Sequence, residues 1–260
     1  MARLFAITNQ KGGVGKTTTS INLAASLAAT KKRVLLVDMD PQGNATMGVG
    51  VDKYDLFLSV LDVLVGECDA KEAIQRDGSK QFDVLPANAD LTAAEVELLD
   101  IDHKETRLAR ALTGIQADYD FIIIDCPPSL NMLTVNALAA ADSILVPMQC
   151  EYYALEGLSS LVDTINKIQR VINPNLHLEG ILRTMYDPRN SLTNEVSQQL
   201  KDYFGDRLYR TVIPRNVRLA EAPSYGLPVL NYDRQSKGAI AYLALAGEVI
   251  RRAEQIAMSA

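Results

Sequence analysis

The chain has 260 residues, 48% of them hydrophobic, with 26 basic against 32 acidic residues and a formal net charge of −6. That length and apolar content suit one large α/β unit, and the acidic balance argues against a chain that is basic throughout for nucleic acid. Three cysteines at unrelated spacings (Cys68, Cys126, Cys150) and only two histidines give no metal or disulfide pattern, and no apolar run approaches the ~18 residues of a membrane span.

The N-terminus passes from Arg3 through Leu4 to Ile7 straight into a glycine-rich loop, leaving no room for the apolar core of a signal peptide. The expectation is a soluble, cytoplasmic protein. In chain order, apolar runs rich in β-branched residues predict strands at residues 4–8, 34–37, 82–85, 121–124, 144–147 and 178–182. Between them, helical spacing and stop signals predict helices over 16–29, 91–99, 104–115, 133–140, 159–172, 191–204 and 238–258. Gly48 to Ser79, with Gly66 and Gly78 inside it, reads as an insertion beside the site formed by the loop. No linker or repeat interrupts the pattern. The fold class expected is α/β, a single domain over 1–260 with a mostly parallel, twisted sheet and helices on both faces.

The loop, "NQKGGVGKTT" over residues 9–18, lies between a predicted strand and a predicted helix, the context that marks a phosphate-binding loop. Glycines let the main chain approach phosphate oxygens, and the helix N-terminus adds positive potential. The candidate binding set is the backbone of Gly12, Gly13, Val14 and Gly15 with Lys16, Thr17 and Thr18. Lys16 is positioned for the β- and γ-phosphates and Thr17 for Mg²⁺. Asp125 ends the strand over 121–124 on the side where open α/β sheets bind ligands, so its carboxylate can meet the Mg²⁺ shell through water. Asp38 and Asp40 end the strand over 34–37, their side chains pointing in different directions.

The loop departs from the general pattern: Gln10 stands where glycine is expected, and Lys11 follows it. In this, "KGGVGKTT" resembles the deviant Walker A motif of the ParA/MinD family of P-loop ATPases. "VDMDPQGNAT" (37–46), "FIIIDCPPS" (121–129), "QCEYYALEGL" (149–158), "TMYDPR" (184–189) and "IPRNVRLAEAPSYGLPV" (213–229) further resemble its chromosomal, Soj-like branch. The resemblance implies ATP and ADP with Mg²⁺ as ligands and Asp40 as the residue that positions the attacking water. It leaves Asp38 supporting either the metal or the loop. It makes Pro41-Gln42-Gly43 and Pro127-Pro128-Ser129 switch loops and sets adenine against Met185, Pro214 and Asn216. It also gives Lys11 a role in trans: each protomer of an ATP-dependent homodimer reaches the partner's phosphates, and Gly12 lets the two backbones approach.

From Gly180 to Arg252 there are eleven basic and seven acidic residues, a surplus of four, which leaves −10 for the remainder. A basic face on an acidic protein is therefore allowed. The candidates for nonspecific DNA contacts are Arg189 and Arg218, with Arg215, Arg234 and Lys237. With roughly three contacts per protomer, the log–log salt slope is about −2.7 for a monomer and −5.4 for a dimer, so ATP-dependent dimerisation would switch DNA binding. A loop that starts at residue 9 leaves no room for an N-terminal base-reading helix-turn-helix. The function expected is a chromosome-partitioning ATPase, associated with the nucleoid and stimulated by a ParB-like centromere-binding protein. The competing expectation is a MinD-like membrane-associated ATPase, against which the tail "EVIRRAEQIAMSA" offers only a thin apolar face, so no stable membrane association is expected. A nitrogenase-type reductase lacks its cysteine pattern here. A small-molecule synthetase on the same scaffold is disfavoured by the match over 213–229.

Overall fold

The computed structural model describes residues 2–76, 81–152 and 154–259. Its strands are β1 (Arg3–Ile7), β2 (Val34–Asp38), β3 (Asp83–Leu85), β4 (Phe121–Asp125), β5 (Ser143–Gln149), β6 (His177–Tyr186) and β7 (Leu208–Pro214). They form one sheet in the order β3-β2-β4-β1-β5-β6-β7, with every neighbouring pair parallel. Strands covered on both faces need apolar residues at consecutive positions, and all five residues of β2 and of β4 are buried.

Alternation sorts these side chains into two cores. Phe5, Ile7, Leu36 and Ile123 pack on one face against α1 (Lys16–Ala29), α2 (Asn44–Gly48), α10 (Val217–Glu221), α11 (Val229–Tyr232) and α12 (Lys237–Ser259). Leu4, Ala6, Val37 and Ile124 pack on the other, against α3 (Val60–Val65), α4 (Ala70–Ala73), α5 (Ala94–Glu97), α6 (Arg107–Thr113), α7 (Met132–Ala140), α8 (Ala154–Val171) and α9 (Ser191–Phe204). The single parallel sheet with helices on both faces is as the sequence predicts.

Several local expectations are corrected. Residues 91–99 form α5 flanked by two 3₁₀ turns rather than one helix; the buried anchors Leu91, Ala94 and Leu98 need only that many turns to reach the core. The helix expected over 104–115 opens with a 3₁₀ turn and is α-helical only over α6, with Gly114 at its end. Helix α8 begins five residues before the expected Ser159, because Ala154, Leu158, Leu161, Ile165 and Ile168 make one buried stripe that runs straight through Gly157. Strand β7 was not anticipated: Arg210 and Thr211 interrupt its apolar pattern, and their backbone N–H groups donate to the buried Glu248 carboxylate at 2.9 and 3.0 Å. Of the segment read as an insertion beside the loop, α3 and α4 join the core on the α6 face instead. Gly78 and Ser79, at its end, and Tyr153, within the 149–158 motif, lie outside the described residues.

Candidate nucleotide-binding site

At the C-terminal edge of the sheet, Ile7 of β1 and Asp38 of β2 are both register partners of Asp125 of β4. β1 also pairs with β5 on its other side, so the chain leaves the sheet at a point where connections diverge in opposite directions, the usual place for a ligand in such folds. The loop that follows β1 is held from both sides. Asn9 Nδ2 donates to the Pro147 carbonyl at 2.9 Å, and Thr184 Oγ1 of β6 donates to the Val14 carbonyl at 2.7 Å.

Gly13 and Gly15 adopt φ of 73° and 89°, backbone that L side chains rarely take. Gly12 differs. Its φ is not positive, and a Cβ there would meet nothing within 4 Å, so nothing among the described residues demands glycine at that position. Helix α1 starts at Gly15 without a side-chain cap, leaving first-turn N–H groups for an anion.

The two lysines of the loop go to different places. Lys16 is buried, lines the cleft, and donates from Nζ to the Lys11 carbonyl at 3.1 Å. Burial holds its ammonium below the ordinary lysine range, against the opposing charges of Asp125 and Asp40. Lys11 Nζ instead forms an ion pair with Glu151 at the surface.

Asp125 is fully buried. Ser20 Oγ donates to its Oδ1 at 2.7 Å, the nearby Thr17 hydroxyl offsets part of the effect of burial, and Oδ2 is buried with no partner. Burial, reinforced by the Asp38 charge, raises its pKa. An unsatisfied buried carboxylate oxygen beside a threonine hydroxyl fits a hydrated divalent cation, which would supply the missing donor and favour the charged form. Asp38, raised chiefly by burial, braces the segment that follows β2. Its Oδ2 accepts from Thr46 N and Oγ1 at 2.8 and 2.7 Å, and its Oδ1 accepts from Asp40 N at 3.1 Å. Asp40 lines the cleft, and its carboxylate accepts from Gln42 N at 3.0 Å.

The cleft has a volume of about 440 Å³ and is lined by Gly12, Gly13, Gly15, Lys16, Thr17 and Thr18 on the loop side and by Asp40, Asn44 and Pro128 on the switch side. Its far wall is Met185, Pro214 and Asn216, the three residues expected against a base. Met185 holds a left-handed φ of 48°, a strained choice for a long side chain. Asn216 Oδ1 is buried without a donor. Sequence reasoning missed Thr184, Asn44, Leu219 and Tyr242, which also line the cleft. The first three lie inside motifs already singled out, but Tyr242, whose hydroxyl bonds Thr19 Oγ1 at 3.1 Å, reads only as a core residue of a long helix.

The five cations proposed for DNA are exposed, but not equivalent. Arg189 pairs with Asp187 at 2.8 Å, and Arg218 with Glu221 at 2.7 Å and Asp233 at 3.3 Å. Arg215 lines the nucleotide cleft, which removes it from a purely outward role. Arg234 and Lys237 flank the start of α12, where Gly238 packs on Leu219 of α10.

Residues 2–178 match the model of a family described as an AAA domain. The sporulation initiation inhibitor protein Soj of Bacillus subtilis is 55% identical over 249 residues, covering 96% of this chain and 98% of its own. The chromosome partitioning protein ParA of Caulobacter vibrioides is 51% identical over 252 residues, with 96% and 94% covered. The chain belongs to the ParA/Soj branch of the ParA/MinD ATPases. A solved structure titled cobyrinic acid a,c-diamide synthase from Mycobacterium smegmatis, with bound ADP and magnesium, superposes on this ParA-type chain with a TM-score of 0.86 at 40% identity, covering 98% and 96%.

Proposed function

We infer that this chain is an ATP-driven partition switch: Mg²⁺ and ATP occupy the cleft, two protomers close on two nucleotides, and the dimer holds DNA without reading its sequence until a ParB-like protein accelerates hydrolysis. The observation that carries this reading is the divergence of the two loop lysines. Lys16 serves its own cleft, and Lys11 lies outside it on a half-exposed ion pair. An exposed pair of this kind is worth ~1 kcal/mol or less, so a partner's triphosphate can take Lys11 from Glu151. Gly12, unconstrained within the chain, is where a second backbone would approach.

In the cleft, the α1 amides and Lys16 bind the phosphates, and Thr17 and Asp125 hold the hydrated cation, which spreads the negative charge of the phosphates. Asp40, fixed from behind by Asp38, orients the attacking water. Lys11 from the partner adds positive charge where negative charge develops on the phosphates during transfer. Asn216 supplies a buried acceptor that suits the exocyclic amine of adenine. DNA is held by Arg189, Arg218, Arg234 and Lys237, summed over two protomers.

Sedimentation of wild type and Lys11→Ala, with ADP or a slowly hydrolysed ATP analogue and with or without nonspecific DNA, tests the reading. Wild type should become dimeric and DNA-bound with the analogue only, and Lys11→Ala should stay monomeric. A dimer of equal stability in Lys11→Ala would refute the switch. The MinD-like alternative predicts analogue-dependent flotation with anionic vesicles instead. Among the described residues no helix is long and apolar enough to cross a membrane, which leaves surface attachment as the only form of that alternative built on a helix.

A further inference from the structure

The segment between α2 and α3 crosses the edge of the sheet from one core to the other. Leu56 packs against the α1/α12 core and Leu58 against the α3/α6 core, so the chain is pinned on both sides of Phe57. Phe57 itself is 96% exposed and Tyr54 84% exposed. The turn before them is stiffened internally: Tyr54 N donates to Asp52 Oδ1 at 3.0 Å and Asp55 N to the Asp52 carbonyl at 3.2 Å. A rigid loop holding out two aromatic rings loses little entropy when a partner covers them, which is what distinguishes an anchor from an incidental surface residue.

The same loop is tied to the catalytic end of the sheet. Lys53 Nζ donates to the Gln42 carbonyl, and its stem lies against Gly43, where a Cβ would meet Lys53 Cδ at 2.9 Å and the Ala87 carbonyl at 2.7 Å. Gln42 N in turn donates to the Asp40 carboxylate at 3.0 Å, and Gly43 N to the Asp40 carbonyl at 2.8 Å. Movement of residues 53–57 is thus transmitted through one side chain to the turn that sets Asp40.

We propose that the 52–57 loop is the docking surface of the protein that stimulates hydrolysis, and that the docked segment is basic with an apolar side chain that covers Phe57. The proposal rests on the partition reading and names the surface that reading leaves open. Charge selects the occupant. Asp52 and Asp55 are exposed on either side of Tyr54, whereas the only cation in the stretch, Lys53, is turned onto the Gln42 carbonyl and the Tyr54 ring, 5.4 Å from its centroid. The outward face is therefore acidic and aromatic, suited to arginine or lysine over tyrosine and to an aliphatic or aromatic residue over phenylalanine. Such a segment approaching Lys53 would repel its ammonium, loosen the bond to Gln42 and shift Asp40, so docking and catalysis would be linked by one contact.

The test titrates wild type, Phe57→Ser, Asp55→Lys and Lys53→Met with the purified ParB-type protein from the same organism, reading ATP turnover, partner binding and analogue-dependent dimerisation. Phe57→Ser and Asp55→Lys should need on the order of tenfold more partner for half-maximal stimulation, with basal turnover and dimerisation unchanged. Lys53→Met, which lacks the bond to Gln42, should bind the partner, start from a raised basal turnover and show little further stimulation. A Phe57→Ser curve that superimposes on wild type overturns the proposal while leaving the partition reading intact. Loss of dimerisation in Phe57→Ser would mean that a second copy of this chain covers the loop, and would overturn it too. A wild type that the ParB-type protein does not stimulate would refute the partition reading, and the proposal with it.

Discussion

At the phosphate end of the sheet, Asp125 is fully buried and keeps one oxygen without a donor. In the basic segment, Arg189 and Arg218 lie at the surface with carboxylates already on them. The contrast separates two ways of holding charge. A buried, unsatisfied group costs the fold about 1–3 kcal/mol and makes sense only if something binds it. An exposed, paired arginine costs almost nothing to hold or to release, so it tolerates a ligand without requiring one. The first region is committed to its ligand, and the second is available to one.

Four perturbations sharpen that contrast, taken from the largest expected effect. Lys16→Ala removes the buried cation from the committed region and should weaken nucleotide binding at least about 100-fold in calorimetry. Near-normal affinity would mean that the cleft is not a phosphate site. Asp125→Asn should abolish the Mg²⁺ dependence of nucleotide binding and yet, above the raised pKa of about 8, stabilise the ligand-free protein by about 1–3 kcal/mol, because a buried charge is gone.

The pH dependence of the ligand-free protein follows from the same groups. Burial raises Asp125 and Asp38 above their unfolded values, so the folded chain holds these protons more tightly. The associated stability is complete below the ordinary carboxylate range and is lost as pH rises through the raised values. Thermal unfolding scans should show the melting temperature falling as pH climbs toward and past neutrality. Mg²⁺ with nucleotide should flatten the dependence, as should Asp125→Asn.

Changes in the available region should be graded rather than absolute. Arg234→Ala should leave dimerisation intact and lower the log–log salt slope of DNA retention by ~1.8 per dimer; an unchanged slope would place the DNA elsewhere. The smallest effect is expected at the boundary between the regions. Glu151→Gln releases Lys11 from its surface pair and should tighten analogue-dependent dimerisation by ~5-fold or less, measured by sedimentation. A weakened dimer would show that Glu151 supports the closed state.

Legibility in the sequence divides along the same line. The committed site could be read because its chemistry dictates local pattern. A phosphate loop needs glycine at 13 and 15, where φ is positive, and a carboxylate at a strand end needs a buried run before it, as in β4. Asp38 could be placed at the site but not given its role, since its bonds to Thr46 depend on how α2 folds back. Tyr242 and Thr184 reach the cleft from α12 and β6, through a packing geometry that no local spacing encodes. The ion pairs on Arg218, one of them to Asp233, fifteen residues along the chain, were likewise invisible. Strand β7 was missed because its polar residues are satisfied by a glutamate on α12, a tertiary fact. Phe57 looked like one apolar residue in an unremarkable insertion until the two cores on either side of it fixed its direction outward.

The central claim is that Lys11 belongs to the neighbouring active site, and mixing two inactive proteins tests it most directly. Lys11→Ala keeps its own Asp40, and Asp40→Ala keeps its own Lys11, so in a mixed dimer one site is complete only if the lysine acts across the interface. Equal amounts of the two variants should restore ATP turnover to at most about half of the wild-type rate per mixed dimer, since each mixed dimer has one lysine across the interface and one working site. Turnover that stays at the level of the separate variants, under conditions where sedimentation confirms mixed dimers, would place Lys11 in its own cleft and contradict the model.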